Sequence, residues 1–393
     1  MTPEKRAAKN AAIKKSMQET RDRHSHMLCR TYEIKIDSSH LNEEQKKHLA
    51  MLFIEAKWLY NASIDLPKEQ RDRNAKSVAV KVGDHFEDRK LLHLGADMKQ
   101  DVVDQIAHSA KSLSTQKANG RNVGKLKHIS ECNAVPLRRY GTTYRVDFAN
   151  KTVAIQKMRK PMKVRGLKQI PANVEFANAK LIRKPSGLYF HITTYAEPVA
   201  DETTASVGLD FGVGTNITTS DNETFHICVD EHKRLKKMSR VMNRRIHKHK
   251  KNKKDYKTKN HRKRKRKLEA EYEKLNNRKA DMANKVVHSL LSRYLIIGIQ
   301  DELIAQWHHG LFGKQVQRSA MGKIKAQLKR SSKTIVVPAS FASTQICPVC
   351  QKKTPHPLDK RDYDCQFCHY HHDNRDVKAA ECILHEALRS LLH

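Results

Sequence analysis

The chain has 393 residues, with 77 Lys or Arg against 42 Asp or Glu, a formal net charge of +35 and a sequence pI near 9.9. Such an excess repels itself unless a polyanion neutralises it, so nucleic acid is the expected partner, and the length leaves room for two to three domains. No segment approaches the ~20 apolar residues that cross a bilayer, and the basic start MTPEKRAAKNAAIKKS lacks the apolar core of a secretory signal, so no membrane association is expected.

Residues 1–27 are polar and basic, which predicts a loosely ordered arm or a marginal helix. The stretch 30–36 alternates, with Tyr32, Ile34 and Ile36 on one face, as in a half-buried strand. From Asn42 the period changes: Leu49, Leu52, Phe53, Ala56, Leu59 and Tyr60 form one helical stripe. After a polar stretch, Val103, Ile106, Ala107, Ala110 and Leu113 form another. Strand patterns return from Val135, at 142–148, 152–156, 174–182 and 188–195, separated by turn residues. Closing on the strand near Tyr32, they predict a small β-barrel with a helical module inserted, and 197–204 with Pro198 reads as a linker.

Val207 and Leu209 then form a short apolar strand that delivers Asp210 towards glycines. A hairpin of 217–219 and 224–227 follows, turning at Ser220-Asp221-Asn222. Between 233 and 267 stand twenty Lys or Arg and one acid, Asp255. A block this dense is costly without counterions, so contact with phosphate is expected, with Arg240, Arg244, Arg245, Arg262, Arg264 and Arg266 as candidates. The run should continue as a long helix towards Leu291. The sequence YLIIGI at 294–299 suits a strand covered on both faces, and it empties into Gln300-Asp301-Glu302. A helix at 315–329 and a buried strand at 334–337 complete this part.

Two patterns carry chemistry. Of eight cysteines, Cys347, Cys350, Cys365 and Cys368 form two Cys-x-x-Cys knuckles, the spacing of a closed tetrahedral Zn²⁺ site with a structural role. Four thiolates fill that shell, leaving His369, His371 and His372 to solvent or nucleic acid. Asp376 stands at the start of a helix marked by Val377, Ala380, Ile383, Leu384 and Ala387, where it could be an N-cap. Alternatively Asp210, Asp301 or Glu302, and Asp376, each at the end of a core element, could converge and hold two Mg²⁺ ions ~3.5–4 Å apart for in-line attack on a phosphodiester.

In this order, GLDFGV, NRKADMANKVVHSL, LFGKQVQRSA, CPVC and CQFC, and NRDVKAAECIL resemble the transposon-encoded TnpB family, which shares ancestry with the compact type V CRISPR effectors. The resemblance covers nearly the whole chain and is strongest from Ser206 onward. It implies an α+β, α/β multidomain fold: a basic N-terminal arm (1–27), a wedge β-barrel (28–40 and 132–200) with an inserted helical recognition module (41–131), and a RuvC, RNase H-like nuclease domain (205–340 and 371–393) holding a zinc ribbon (341–370). It also implies a prokaryotic, Mg²⁺-dependent, RNA-guided DNA endonuclease. A guide RNA from the transposon end would pair with one strand of a target duplex, beside a short adjacent motif read by the N-terminal half. Asp210 matches the family's first acid and Asp376 its third. The second motif departs, with Gln300 where the family has Glu. Strand alternation puts Glu302 on the face of Gln300, which favours Glu302 over Asp301. Lys378 replaces the usual Asn, and no Gly follows either knuckle. A guided binding protein without nuclease activity, a strand-transferring transposase and a CRISPR effector of the same chemistry are the alternatives.

Overall fold

The computed structural model describes residues 2–198, 203–251, 258–357 and 360–392. The chain divides into two compact units, Met1–Val199 and Ala200–His393. Part of the expected linker (199–202) and the middle of the basic run (252–257) lie outside the described residues. Among those residues, no helix is long and apolar enough to cross a membrane.

In the first unit, residues 1–27 supply a helix, α1 (Pro3–Ser25), in place of a loose arm. Its last turn is held by an ion pair of Arg23 with Glu175 and by His24 stacked on Tyr195 at 3.7 Å. Strand β1 (Leu28–Ile36) buries Ile34 and Ile36. Helix α2 (Glu43–Ile64) opens on a capping box: Asn42 accepts from the Gln45 amide at 2.7 Å and Gln45 accepts from the Asn42 amide at 3.0 Å. The polar stretch before the next helix is a β-hairpin that the periodicity reading passed over, β2 (Ser77–Val82) and β3 (His85–Lys90), turning at Gly83 with φ +61°. Helix α3 (Ala96–Ala118) buries Val102, Val103 and Ile106 but exposes Ala110, so its stripe covers only the first half.

Six further strands follow: β4 (Ala134–Leu137), β5 (Tyr144–Asp147), β6 (Thr152–Ile155), β7 (Met162–Arg165), β8 (Glu175–Lys184) and β9 (Gly187–Ala196). With β1 they form one antiparallel sheet ordered β4-β8-β9-β1-β7-β6-β5. The sheet curls towards a barrel, because Tyr144 on the terminal strand β5 donates its phenol to the Ala177 carbonyl of β8 at 2.9 Å.

The second unit is built on a five-stranded mixed sheet. Its meander is β10 (Ser206–Phe211), β11 (Ile217–Thr219) and β12 (Thr224–Phe225). The basic run does not form one continuous helix. It occupies α4 (Lys233–Lys251) and the start of α5 (Lys259–Arg293), which lie antiparallel, with the Tyr272 hydroxyl 3.3 Å from Ser239 and Arg278 2.9 Å from His232. Strand β13 (Ile296–Gln300) pairs in parallel with β10.

The helix expected at 315–329 is two, α6 (Gly313–Arg318) and α7 (Met321–Leu328). They break because backbone bonds from Val229 to Arg318 and from Ala320 to Ile227 draw Ser319 out extended. Strand β14 (Thr334–Val337) pairs in parallel on the other side of β13, so the order is β12-β11-β10-β13-β14. A short hairpin, β15 (Tyr363–Asp364) and β16 (His371–His372), and a last helix, α8 (Arg375–Arg389), close the unit.

Strand alternation sorts this sheet's faces. Val207, Leu209, Ile297 and Ile299 pack with Ala283, Val287 and Leu290 of α5 and with Ile324 and Leu328 of α7. The residues between them, Gly208 and Gly298, are register partners on the opposite face, against α8. A Cβ on Gly208 would stand 1.9 Å from the Ala380 carbonyl oxygen, and one on Gly298 3.1 Å from that of Ile383. Helix α8 therefore sits down on two glycines.

Candidate active site

That seating decides where the acids go. With Ala380 over Gly208, one turn back along α8 reaches Asp376, a displacement of about 6 Å at 1.5 Å per residue. Two residues forward along β10 reach Asp210, about 6.6 Å on the same face. Asp376 is not the helix cap: Asn374 is, accepting from the amides of Asp376 at 3.0 Å and Val377 at 3.3 Å. The Asp376 carboxylate, free of the capping role, accepts from Arg361 at 3.1 Å and from Arg375 at 3.4 Å.

Asp210 is buried. Its carboxyl is pushed up to about 7, first by burial and then by the neighbouring negative charges of Glu302 and Asp376. Glu302 is also raised, by burial, against the opposing pull of Lys325, whose ammonium lies 3.8 Å from its carboxylate and 2.9 Å from its backbone carbonyl. Asp301 turns elsewhere, into an ion pair with Lys329. Of the adjacent pair, Glu302 is the one whose charge reaches Asp210.

Gln300, the departure in the second motif, is buried and structural. Its amide nitrogen donates to the carbonyls of Ala339 at 3.2 Å and Phe341, and its oxygen accepts from Ser343 at 3.0 Å. Lys378 does the same from the helix. Fully buried, with its pKa pushed down to about 8 by that burial, it donates to the carbonyls of Ser343, Thr344 and Ile346 at 2.8–3.0 Å. Both departures brace the segment that leads from β14 to the first knuckle.

The knuckles themselves meet. The sulfurs of Cys347, Cys350, Cys365 and Cys368 all lie within 4.8 Å of one another, with Cys347 to Cys368 at 3.5 Å and Cys350 to Cys365 at 3.6 Å. Zn–S bonds of ~2.3 Å set tetrahedral sulfurs about 3.8 Å apart, so the cluster fits Zn²⁺. The residues after the knuckles, Gln351 and His369, adopt φ of +60° and +58°, the conformation glycine would take without cost. His371 lies 2.7 Å from Asp364 and 2.9 Å from Asp373, which raise its pKa, and His372 accepts from the Asn374 amide at 2.9 Å. Both are engaged locally, and the His371 side chain remains half exposed.

The six candidate arginines, Arg240, Arg244 and Arg245 on α4 and Arg262, Arg264 and Arg266 on α5, are all exposed. Sequence reasoning missed Arg361, on the loop between the knuckles, whose guanidinium lies 3.1 Å from Asp376. It also missed Lys325. Neither carries a local signal, since each contact spans fifteen or more residues.

One family model, described as "Probable transposase" (OrfB_IS605), matches residues 189–305, and another, "Cas12f1-like, TNB domain", matches residues 320–383. These matches support a TnpB-like family. This TnpB-like chain is 23% identical over 247 residues to a protein of Streptomyces pristinaespiralis named "Putative RNA-guided DNA endonuclease". That match covers 60% of the chain and spans 59% of the relative's length. The cryo-EM structure of a Cas12f1–sgRNA–target DNA complex aligns over 91% of this chain and 99% of that one at 13% identity, with a TM-score of 0.24, too low to bear on the fold.

Proposed function

We propose that this TnpB-like chain is an RNA-guided DNA endonuclease whose second unit is a RuvC-type nuclease with an inserted zinc ribbon. Its cofactors are catalytic Mg²⁺ and structural Zn²⁺. Its partners are a guide RNA from the transposon end and a target duplex with an adjacent motif. One observation carries the reading: a buried carboxyl, Asp210, raised to about 7 with two further carboxylates, Glu302 and Asp376, beside it. Lys325 beside Glu302 and Arg361 beside Asp376 offset part of this charge, and the donor set of hard carboxylate oxygens suits Mg²⁺.

Bound there, Mg²⁺ would supply a nucleophilic water at neutral pH and charge stabilisation for the leaving oxygen. The chain's own residues do the placing. Asp210 is held by β10, Glu302 by the end of β13 and Asp376 by the first turn of α8. The two glycines beneath α8 let helix and sheet approach closely, and the charge of Asp376 on that helix acts on Asp210. The exposed arginines of α4 and α5 fit a phosphate backbone.

The test is cleavage of a guide-matched duplex by single variants. Asp210→Ala, Glu302→Ala and Asp376→Ala should each lower the rate by a thousandfold or more, and Asp301→Ala by less than tenfold. Equal losses for Asp301→Ala and Glu302→Ala would overturn the assignment of the second acid.

A further inference from the structure

From Leu303 to Leu358 the chain has no Asp or Glu, while it carries nine Lys or Arg. At the start of this acid-free stretch, directly after Glu302, a loop is anchored inward by Ile304 and Val316, both buried, and by Trp307 packed on the same core. Its turn is tight. Gly313 donates to the Gly310 carbonyl at 3.0 Å, and a Cβ on Gly313 would stand 2.3 Å from the His308 carbonyl oxygen. This built turn projects two large apolar side chains outward, Leu311 at 99% exposure and Phe312 at 56%. Leu311 borders an open recess of about 610 Å³ lined also by His308, Lys314 and Gln317, and Phe312 follows it in the chain. Leaving them in water forfeits the burial that such side chains normally gain, so a rigid loop that displays them is shaped for a contact. With no acid within the loop and Lys314 alongside, the complementary surface is anionic at its edge and flat and apolar at its centre.

We propose that Phe312, with Leu311, is a stacking platform for the unpaired bases of single-stranded DNA, with Lys314 on the flanking phosphate. An unstacked base offers a π-face to an aromatic ring and a phosphate to a lysine. This rests on the endonuclease reading, since the loop begins directly after Glu302, and it adds a contact that holds the DNA by its bases.

The measurement is binding of a fluorescent oligodeoxythymidylate by the full chain with its flanking RNA, without added Mg²⁺ and in an Asp210→Ala background, so that cutting plays no part. An abasic oligonucleotide of the same length is the comparison. Phe312→Ala combined with Leu311→Ala should weaken binding of the ordinary strand roughly tenfold or more, leave its salt dependence unchanged, and leave the abasic strand unaffected. Phe312→Trp should restore it. Equal weakening of both strands, or none, would overturn the proposal. So would a shift from oligomer to monomer with oligonucleotide binding unchanged, which would make the loop a contact with a second copy. Failure of guided cutting with base-dependent binding intact would refute the endonuclease reading and leave this one standing.

Discussion

Asp210 is expensive where it stands. A carboxyl whose folded pKa lies above its unfolded value binds more protons in the folded state, so folding stability falls as pH rises from about 4 to about 7. The loss is about 4 kcal/mol at most, at 1.36 kcal/mol per pKa unit. Asp210→Asn should therefore be the more stable protein above pH 7 and should match the wild type near pH 4, which thermal unfolding across that range would check. Added Mg²⁺ should raise the wild-type melting temperature at pH 8 and leave that of Asp210→Asn nearly unmoved. A wild-type protein whose stability rises between pH 4 and 7 relative to the variant would contradict the burial argument. At the same scale, Gln351 and His369 hold left-handed conformations that cost non-glycine residues ~1 kcal/mol each. Gln351→Gly and His369→Gly should each raise stability by up to that amount, read as a higher chelator concentration needed to unfold the knuckles.

At the scale of elements, the paired glycines under α8 give a graded prediction. Gly208→Ala drives a Cβ into backbone, at 1.9 Å from a carbonyl oxygen, and should destabilise the second unit by 3 kcal/mol or more, about the upper end for overpacking. Gly298→Ala meets its neighbours at 3.0–3.1 Å and should cost roughly 1 kcal/mol. Denaturant melts of the two variants would check the order, and a reversed order would contradict the seating of α8.

The sequence showed these elements unevenly. Strand β10, hairpin β11–β12 and the four cysteines were legible because their signals are local: alternation, turn residues and fixed spacing. The break between α6 and α7 was not, because bonds to Ile227 and Val229, some ninety residues away, pull Ser319 out of the helix. Hairpin β2–β3 was missed although Val78, Val80 and Val82 alternate before Gly83, because its polar partner strand masked the pattern. Alternation favoured Glu302 over Asp301, but the ion pair that turns Asp301 towards Lys329 could be seen only in three dimensions.

For the whole molecule, the charge of +35 has a partner to find, and the exposed arginines on α4 and α5 are where the excess is densest. Replacing Arg244, Arg245, Arg262 and Arg264 by Gln should weaken RNA binding and flatten its salt dependence, by up to ~0.7–0.9 in log–log slope for each phosphate that is no longer neutralised. An unchanged slope would remove these helices from the interface. The central claim is tested most directly by co-expressing the protein with its flanking RNA and presenting, in Mg²⁺, a plasmid library with randomised sequence beside a guide-matched target, in parallel with Asp210→Ala. The predicted result is cutting confined to matched targets beside one short motif and absent from the variant. Guide-dependent binding with no cutting by the wild type, or equal cutting by Asp210→Ala, would contradict it.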